Sequence, residues 1–132
     1  MTIQKNPDED NLKADTEIKQ TVLNYIEAWY RGEPERGNRS LHPELAKRIV
    51  KIDPDTGGNR LEMMSASTLY ERWQSGDGKK TPKELQIKDV TILDKYGDMA
   101  SVKLKTGAWV DYMHLAKFNN EWVIINILWE LK

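Results

Sequence analysis

Cysteine is absent from this 132-residue chain, which excludes disulfides and thiolate zinc sites. A reducing compartment fits that absence. Neither sign of charge is in excess: 20 Lys and Arg stand against 21 Asp and Glu. A broad basic footprint for nucleic acid is thereby excluded, and no nucleic-acid partner is expected. No apolar run approaches the roughly 20 residues of a membrane span, so no membrane partner is expected either. The first ten residues are polar and lack the apolar core of a signal peptide. Residues 1–14 read as a disordered polar tail, and the protein as cytoplasmic. With two histidines and no cysteine, a transition-metal site would need carboxylates from distant segments, so neither metal nor cofactor is expected. Asp53 and Asp55 alternate as in a calcium loop, but the fifth ligand position is Gly57 and the closing glutamate is Met64. The stretch 76–82 has two glycines and a Lys-Lys-Thr, but no strand precedes it and the phosphate-loop spacing fails.

Phenylalanine occurs once, whereas Trp and Tyr occur five times each. Those two residues join a large apolar body to a polar handle, which suits pockets and interfaces. From Asp15 onward, Ile18, Val22, Tyr25, Ile26 and Trp29 recur at helical spacing, and Gly32 and Pro34 end the run. Leu41, Leu45 and Ile49 predict a second helix over 40–50, with Pro43 in its first turn. A small hairpin is expected around the 53–59 loop. A third helix, starting at Ser65 or Ser67 and ending at Gly76, carries Leu69, Tyr70 and Trp73. From Glu84 the period becomes two, predicting strands near 84–94, 98–106, 108–118 and 121–131 in a single domain spanning 15–132.

A two-residue turn at Asn119-Asn120 sets the register of the last two strands. One face then carries Trp109, Asp111, Met113, Leu115, Trp122, Ile124, Asn126 and Leu128. A two-residue turn at Thr106-Gly107 extends it through Ala100, Val102 and Leu104. This face is assigned to the helices. The opposite face carries Tyr112, His114, Val123, Ile125, Ile127 and Trp129, with lysines on the neighbouring strand. An outer sheet face that is half apolar predicts a homodimer through it.

The tail Asp111-Tyr112-Met113-His114-Leu115-Ala116-Lys117, followed by Trp122-Val123-Ile124-Ile125-Asn126, resembles a pattern of the putative lumazine-binding family. That pattern is Asp-Tyr-Leu-x-Leu-x-Lys and then Trp-x-Ile-Val-Asn. Tyr30-Arg31-Gly32 closes the first helix and His42-Pro43 opens the second, as in that family. Met113 replaces the usual Leu, and Asn119-Asn120-Glu121 replaces an Asp-Gly-Lys turn. The resemblance covers about residues 15–132. It implies the α+β cone of the nuclear-transport-factor-2-like superfamily: three N-terminal helices packed on a curved antiparallel sheet, in a cystatin-like arrangement. The family name implies a pteridine-like ligand. Superfamily members that act as isomerases, dehydratases or cyclases use an inward acid.

Asp111 is the sharpest candidate for chemistry: a carboxylate among apolar neighbours is costly unless hydrogen-bonded, and can serve as a general base. His42, at the expected cone mouth, or a tyrosine is its candidate partner. Tyr25, Trp29, Met64, Tyr70 and Trp73 from the helix side, with Trp109 and Asn126 from the sheet, are the candidate lining of an aromatic pocket. Three functions follow. One is a small-ligand-binding domain whose partner is a flat heterocycle. Another is an isomerase or dehydratase using Asp111. The third is a structural dimerisation module whose interior is filled, with no cavity above about 300 Å³.

Overall fold

The computed structural model describes residues 7–132. Helix α1 (Pro7–Arg31) leads to a short helix α2 (Pro34–Arg39) and a hairpin of β1 (Leu41–Ile52) and β2 (Asn59–Ser65). Helix α3 (Ala66–Ser75) and two 3-10 turns (Asp77–Lys80, Lys83–Leu85) then connect to the meander β3 (Asp89–Tyr96), β4 (Met99–Lys105), β5 (Trp109–Phe118) and β6 (Glu121–Leu131). The six strands form one curved sheet in the order β2-β1-β6-β5-β4-β3. Every neighbouring pair is antiparallel except β1 with β6, which is parallel. The α+β class expected from the sequence is what the chain adopts.

Three local expectations are corrected. α1 begins at Pro7, so the expected polar tail is helical from there; its first six residues lie outside the described ones. Asp8, Glu9 and Asp10 sit in the first turn, where the helix dipole favours acids. Secondly, residues 41–50 are strand, not helix. Leu45, Lys47 and Ile49 are buried, while Arg48 and Val50 are exposed. The period is therefore two, but a lysine occupies one inward position. That left Leu41, Leu45 and Ile49, four residues apart, to imitate a helical stripe. Thirdly, the first strand of the meander starts at Asp89, after a 3-10 turn.

Asn119 and Asn120 have φ of 48° and 66°, the left-handed pair that a two-residue hairpin turn needs. Phe118 pairs with Glu121 and Leu115 with Ile124, as expected. A β-bulge then intervenes: His114 pairs with Asn126, Met113 with Ile127 and Asp111 with Trp129. The unpaired residue is Ile125. Beyond it the faces of β6 exchange, so Ile127 and Trp129 point toward the helices, and Asn126 and Leu128 point away. Between β4 and β5 the turn centres on Gly107-Ala108, with Thr106 N donating to Trp109 O at 3.0 Å. The register thus differs from the expected one by two residues, which preserves parity. Ala100, Val102 and Leu104 face inward, as expected.

Ile18, Val22 and Ile26 of α1 pack on Val102, Leu104, Met113, Leu115, Ile124 and Ile127 of the sheet. Each such side chain contributes roughly 1.5–3 kcal/mol on burial. Thr21 Oγ1 donates to Trp122 O at 3.0 Å, tying α1 to β6. Glu27 joins α1 to α2 through Arg36, and to the segment before β3 through Lys88 at 2.7 Å. Helix α3 starts on Ser65, whose Oγ accepts from Thr68 N at 3.2 Å, and ends on Gly76 at φ 77°. α2 approaches α3 closely because Gly37 has no side chain: a Cβ there would come within 2.5 Å of the Trp73 ring.

Candidate functional site

A cavity of about 280 Å³ lies between α1, α3, the middle of β1, the end of β2, the start of β5 and the end of β6. Tyr25 and Trp29 enter it from α1, one helical turn apart. Leu69, Arg72 and Trp73 enter from α3. Trp109 opens β5, and Trp129 and Leu131 close β6. The Thr106 turn aims Trp109: Thr106 Oγ1 accepts from Trp109 N at 3.0 Å and from Ala108 N at 3.2 Å. Two edge-to-face pairs set the walls. The Tyr25 and Trp73 centroids are 5.9 Å apart, and those of Trp29 and Trp109 are 6.4 Å apart.

The polar centre is Lys47 of β1. It lines the cavity yet is only 5 % exposed. Its Nζ donates to Tyr25 Oη at 2.7 Å and lies 3.9 Å from Asp111 Oδ1. The ammonium sits 4.7 Å from the Trp129 ring centroid, 5.4 Å from Tyr25 and 5.5 Å from Trp109. Three ring faces and one carboxylate thus replace the water lost on burial. Asp111 is fully buried, and the Trp109 indole Nε1 donates to its Oδ2 at 2.9 Å. Oδ1 accepts no hydrogen bond.

Burial governs the ionisation of all three groups. It depresses the Lys47 ammonium below its ordinary range; Asp111 opposes this and Arg72 adds to it. It raises the Asp111 carboxyl, against the pull of Lys47 and the Trp109 indole. It holds the Tyr25 phenol well above its usual value, and the Asp111 charge acts in the same direction. Tyr25 is therefore a neutral hydroxyl at any physiological pH. Nearby, burial pushes the Tyr30 phenol up to about 12, and its Oη donates to Ile87 O at 2.7 Å.

Of the residues singled out from the sequence, Tyr25, Trp29, Met64, Trp73 and Trp109 converge on this cavity. Asp111 stands against its polar centre but is not part of the wall. Tyr70 is elsewhere: it projects over a separate surface hollow with Asn38 and Arg39, and its Oη donates to Glu35 Oε1 at 2.6 Å. His42 also lies outside the cavity, against Phe118, with ring centroids 4.8 Å apart. Its Nδ1 accepts from Glu44 N at 3.0 Å. Asn126 is on the outer sheet face, where its Oδ1 accepts from Arg48 at 3.3 Å. The bulge at Ile125 moved it there and brought Trp129 in. Lys47 was missed because its segment imitated a helix. Arg72 carried no signal beyond being a charged helix residue. Among the described residues, no three His, Asp or Glu side chains are grouped to hold a metal ion.

A family model described as "Putative lumazine-binding" matches residues 13–130. No curated protein matches the chain. Several solved structures share the fold. A nuclear-transport-factor-2-like protein of unknown function from Shewanella baltica OS155 superposes with a TM-score of 0.74 at 15 % identity, covering 98 % of each chain. One from Silicibacter pomeroyi DSS-3 gives 0.72 at 14 % identity, over 92 % of this chain and 98 % of that one. One from Methylobacillus flagellatus KT gives 0.67 at 17 % identity, over 100 % and 98 %. At such identities the likeness establishes the architecture and nothing of the chemistry.

Proposed function

Because the chain belongs to the "Putative lumazine-binding" family, a ligand-binding domain of nuclear-transport-factor-2-like fold, we propose that it binds a small flat ring system in the cavity beside Lys47. The observation that carries this reading is a buried ammonium placed in the wall of an aromatic cavity. Taking a charge out of water costs several kcal/mol even when it is paired. A sheet that needed only a filled core would gain more from an apolar residue at that inward position. Trp29, Trp109 and Trp129 offer flat apolar surfaces, and Lys47 and Tyr25 offer hydrogen bonds that fix orientation. The volume, about 280 Å³, lies just below the usual range for small-molecule pockets, about 300–1,000 Å³, which limits a ligand to one or two fused rings. By volume alone, at about 280 Å³, the cavity falls on the side expected of a filled structural module; the polar wall is what supports ligand binding.

Asp111 is assigned as the counter-ion of Lys47 rather than as a general base. It is absent from the cavity wall, and the hydrogen bond it accepts comes from an indole instead of a tyrosine or histidine. A thermal-shift screen over pterins, flavins and other flat heterocycles tests the reading. A melting temperature that rises with ligand concentration in the wild type, and much less in Trp109→Leu, is the expected result. No shift with any of them at millimolar concentration would remove the reading.

The same proposal includes self-association. Met63, Arg48, Leu128, Tyr112 and Lys103 lie in register across five strands on the outer face, with Val50 and Leu61 paired beside them. Met63, Leu128, Tyr112, Val50 and Leu61 are each more than half exposed. A second copy of the chain, related by two-fold symmetry, is the occupant that suits a surface of this kind.

A further inference from the structure

The polar groups of the cavity wall are unequally matched, and the mismatch has a sign. Lys47 Nζ carries three protons, of which one reaches Tyr25 Oη; Asp111 Oδ1, at 3.9 Å, is beyond hydrogen-bond length. The Trp129 indole Nε1–H is buried without an acceptor. Arg72 lines the cavity from α3, and its guanidinium makes no ion pair or hydrogen bond among the described residues. Against these donors the wall sets no carboxylate and no side-chain carbonyl; the Tyr25 hydroxyl oxygen, already taken by Lys47, is its one side-chain oxygen. Charge follows the same direction. Asp111 offsets Lys47, and Arg72 is left over. Arg72 is near enough to Lys47 to disfavour its charged form.

We infer that the ligand of this cavity is an anionic aromatic compound, a fused ring bearing a carboxylate, whose ring lies among the tryptophans and whose oxygens are taken by Arg72, Lys47 and Trp129. The inference rests on the reading that the cavity binds a ligand at all. A guanidinium presents paired N–H groups that match the planar carboxylate fork, and such bonds are stronger than neutral ones. An anion would also relieve the repulsion between Arg72 and Lys47. A neutral ring of the same shape would leave the buried Trp129 N–H without an acceptor and the exposed Arg72 guanidinium with water alone.

The test compares 2-naphthoate with 2-naphthamide, two probes of nearly equal shape and different charge. Calorimetry is run on the full chain and on Arg72→Gln, an exposed helix substitution that leaves the core intact. Indole N–H signals in a nitrogen-15 spectrum locate the binding. The expected result is 2-naphthoate bound about tenfold or more tightly than the amide. That preference should vanish in Arg72→Gln and weaken with salt, while the Trp109 and Trp129 indole signals move. Equal or tighter binding of the amide would overturn the inference and leave the cavity reading standing. So would a carboxylate preference that survives in Arg72→Gln. Binding of neither probe at millimolar concentration would overturn both. Shifts confined to residues away from the cavity would overturn the assignment of the anion to this site.

Discussion

Lys47 and Asp111 stabilise each other, but neither stabilises the fold by being charged. Lys47→Met keeps the apolar stem and leaves a buried carboxylate with only the Trp109 indole to compensate it. A loss of about 3–5 kcal/mol is expected in urea unfolding. The double variant Lys47→Met/Asp111→Leu should recover most of that loss. Its advantage should also depend on pH. Burial raises Asp111, so just above the ordinary carboxylate range the folded chain holds a proton that the unfolded chain has released, and wild-type stability falls as pH rises there. Burial depresses Lys47, so just below the ordinary amine range the unfolded chain holds the extra proton, and stability rises with pH. The double variant therefore compares best with the wild type near neutrality, and less well in acid and in alkali. A difference flat across pH would show that the pair carries no such strain. At this scale Asp111 was legible from strand parity alone. Lys47 was not, because lysine is almost never fully buried and a sequence gives no reason to place one inside.

The elements show which errors of register matter. The turn before β5 falls two residues away from its expected register and every inward residue of β4 stays inward. The bulge in β6 is a single residue, and it exchanged Asn126 for Trp129 at the cavity. Bulges leave little trace in an apolar run such as Val123-Ile124-Ile125, since either outward or inward placement suits each residue. A deletion pair tests the assignment. Removing Ile125 lets His114 and Asn126 pair without interruption and keeps Ile124, Ile127 and Trp129 inward. That variant should fold, with altered local twist. Removing Val123 should instead turn Trp122 or Ile124 outward and abolish cooperative melting, followed by circular dichroism. Cooperative melting of both variants, or of the Val123 deletion alone, would show the bulge is placed wrongly. The β1 segment was misread for a related reason: its inward lysine broke the alternation by which a strand is recognised.

At the scale of the molecule, the class and the helix-covered face were legible because the tail motif and the turn signals agree with each other. The parallel docking of β1 on β6 was not, since no local pattern announces a partner some 80 residues away. The outer face makes its own prediction. Light scattering at micromolar concentration should give twice the chain mass, and Leu128→Glu with Tyr112→Glu should give the chain mass with unchanged circular dichroism. A monomeric wild type would leave that apolar row without the proposed second copy.

The β1–β6 pairing also bears on how the chain is made. Leu41 meets Ile124 and Lys47 meets Ile127, so the β1–β2 hairpin has no docking strand until β6 has emerged from the ribosome. Until then the Lys47 amine remains hydrated, and it gives up its water only when the final strand arrives with Trp129. Nascent chains stalled before that strand should consequently stay sensitive to protease within β1 and β2, while full-length chains become resistant in a single step.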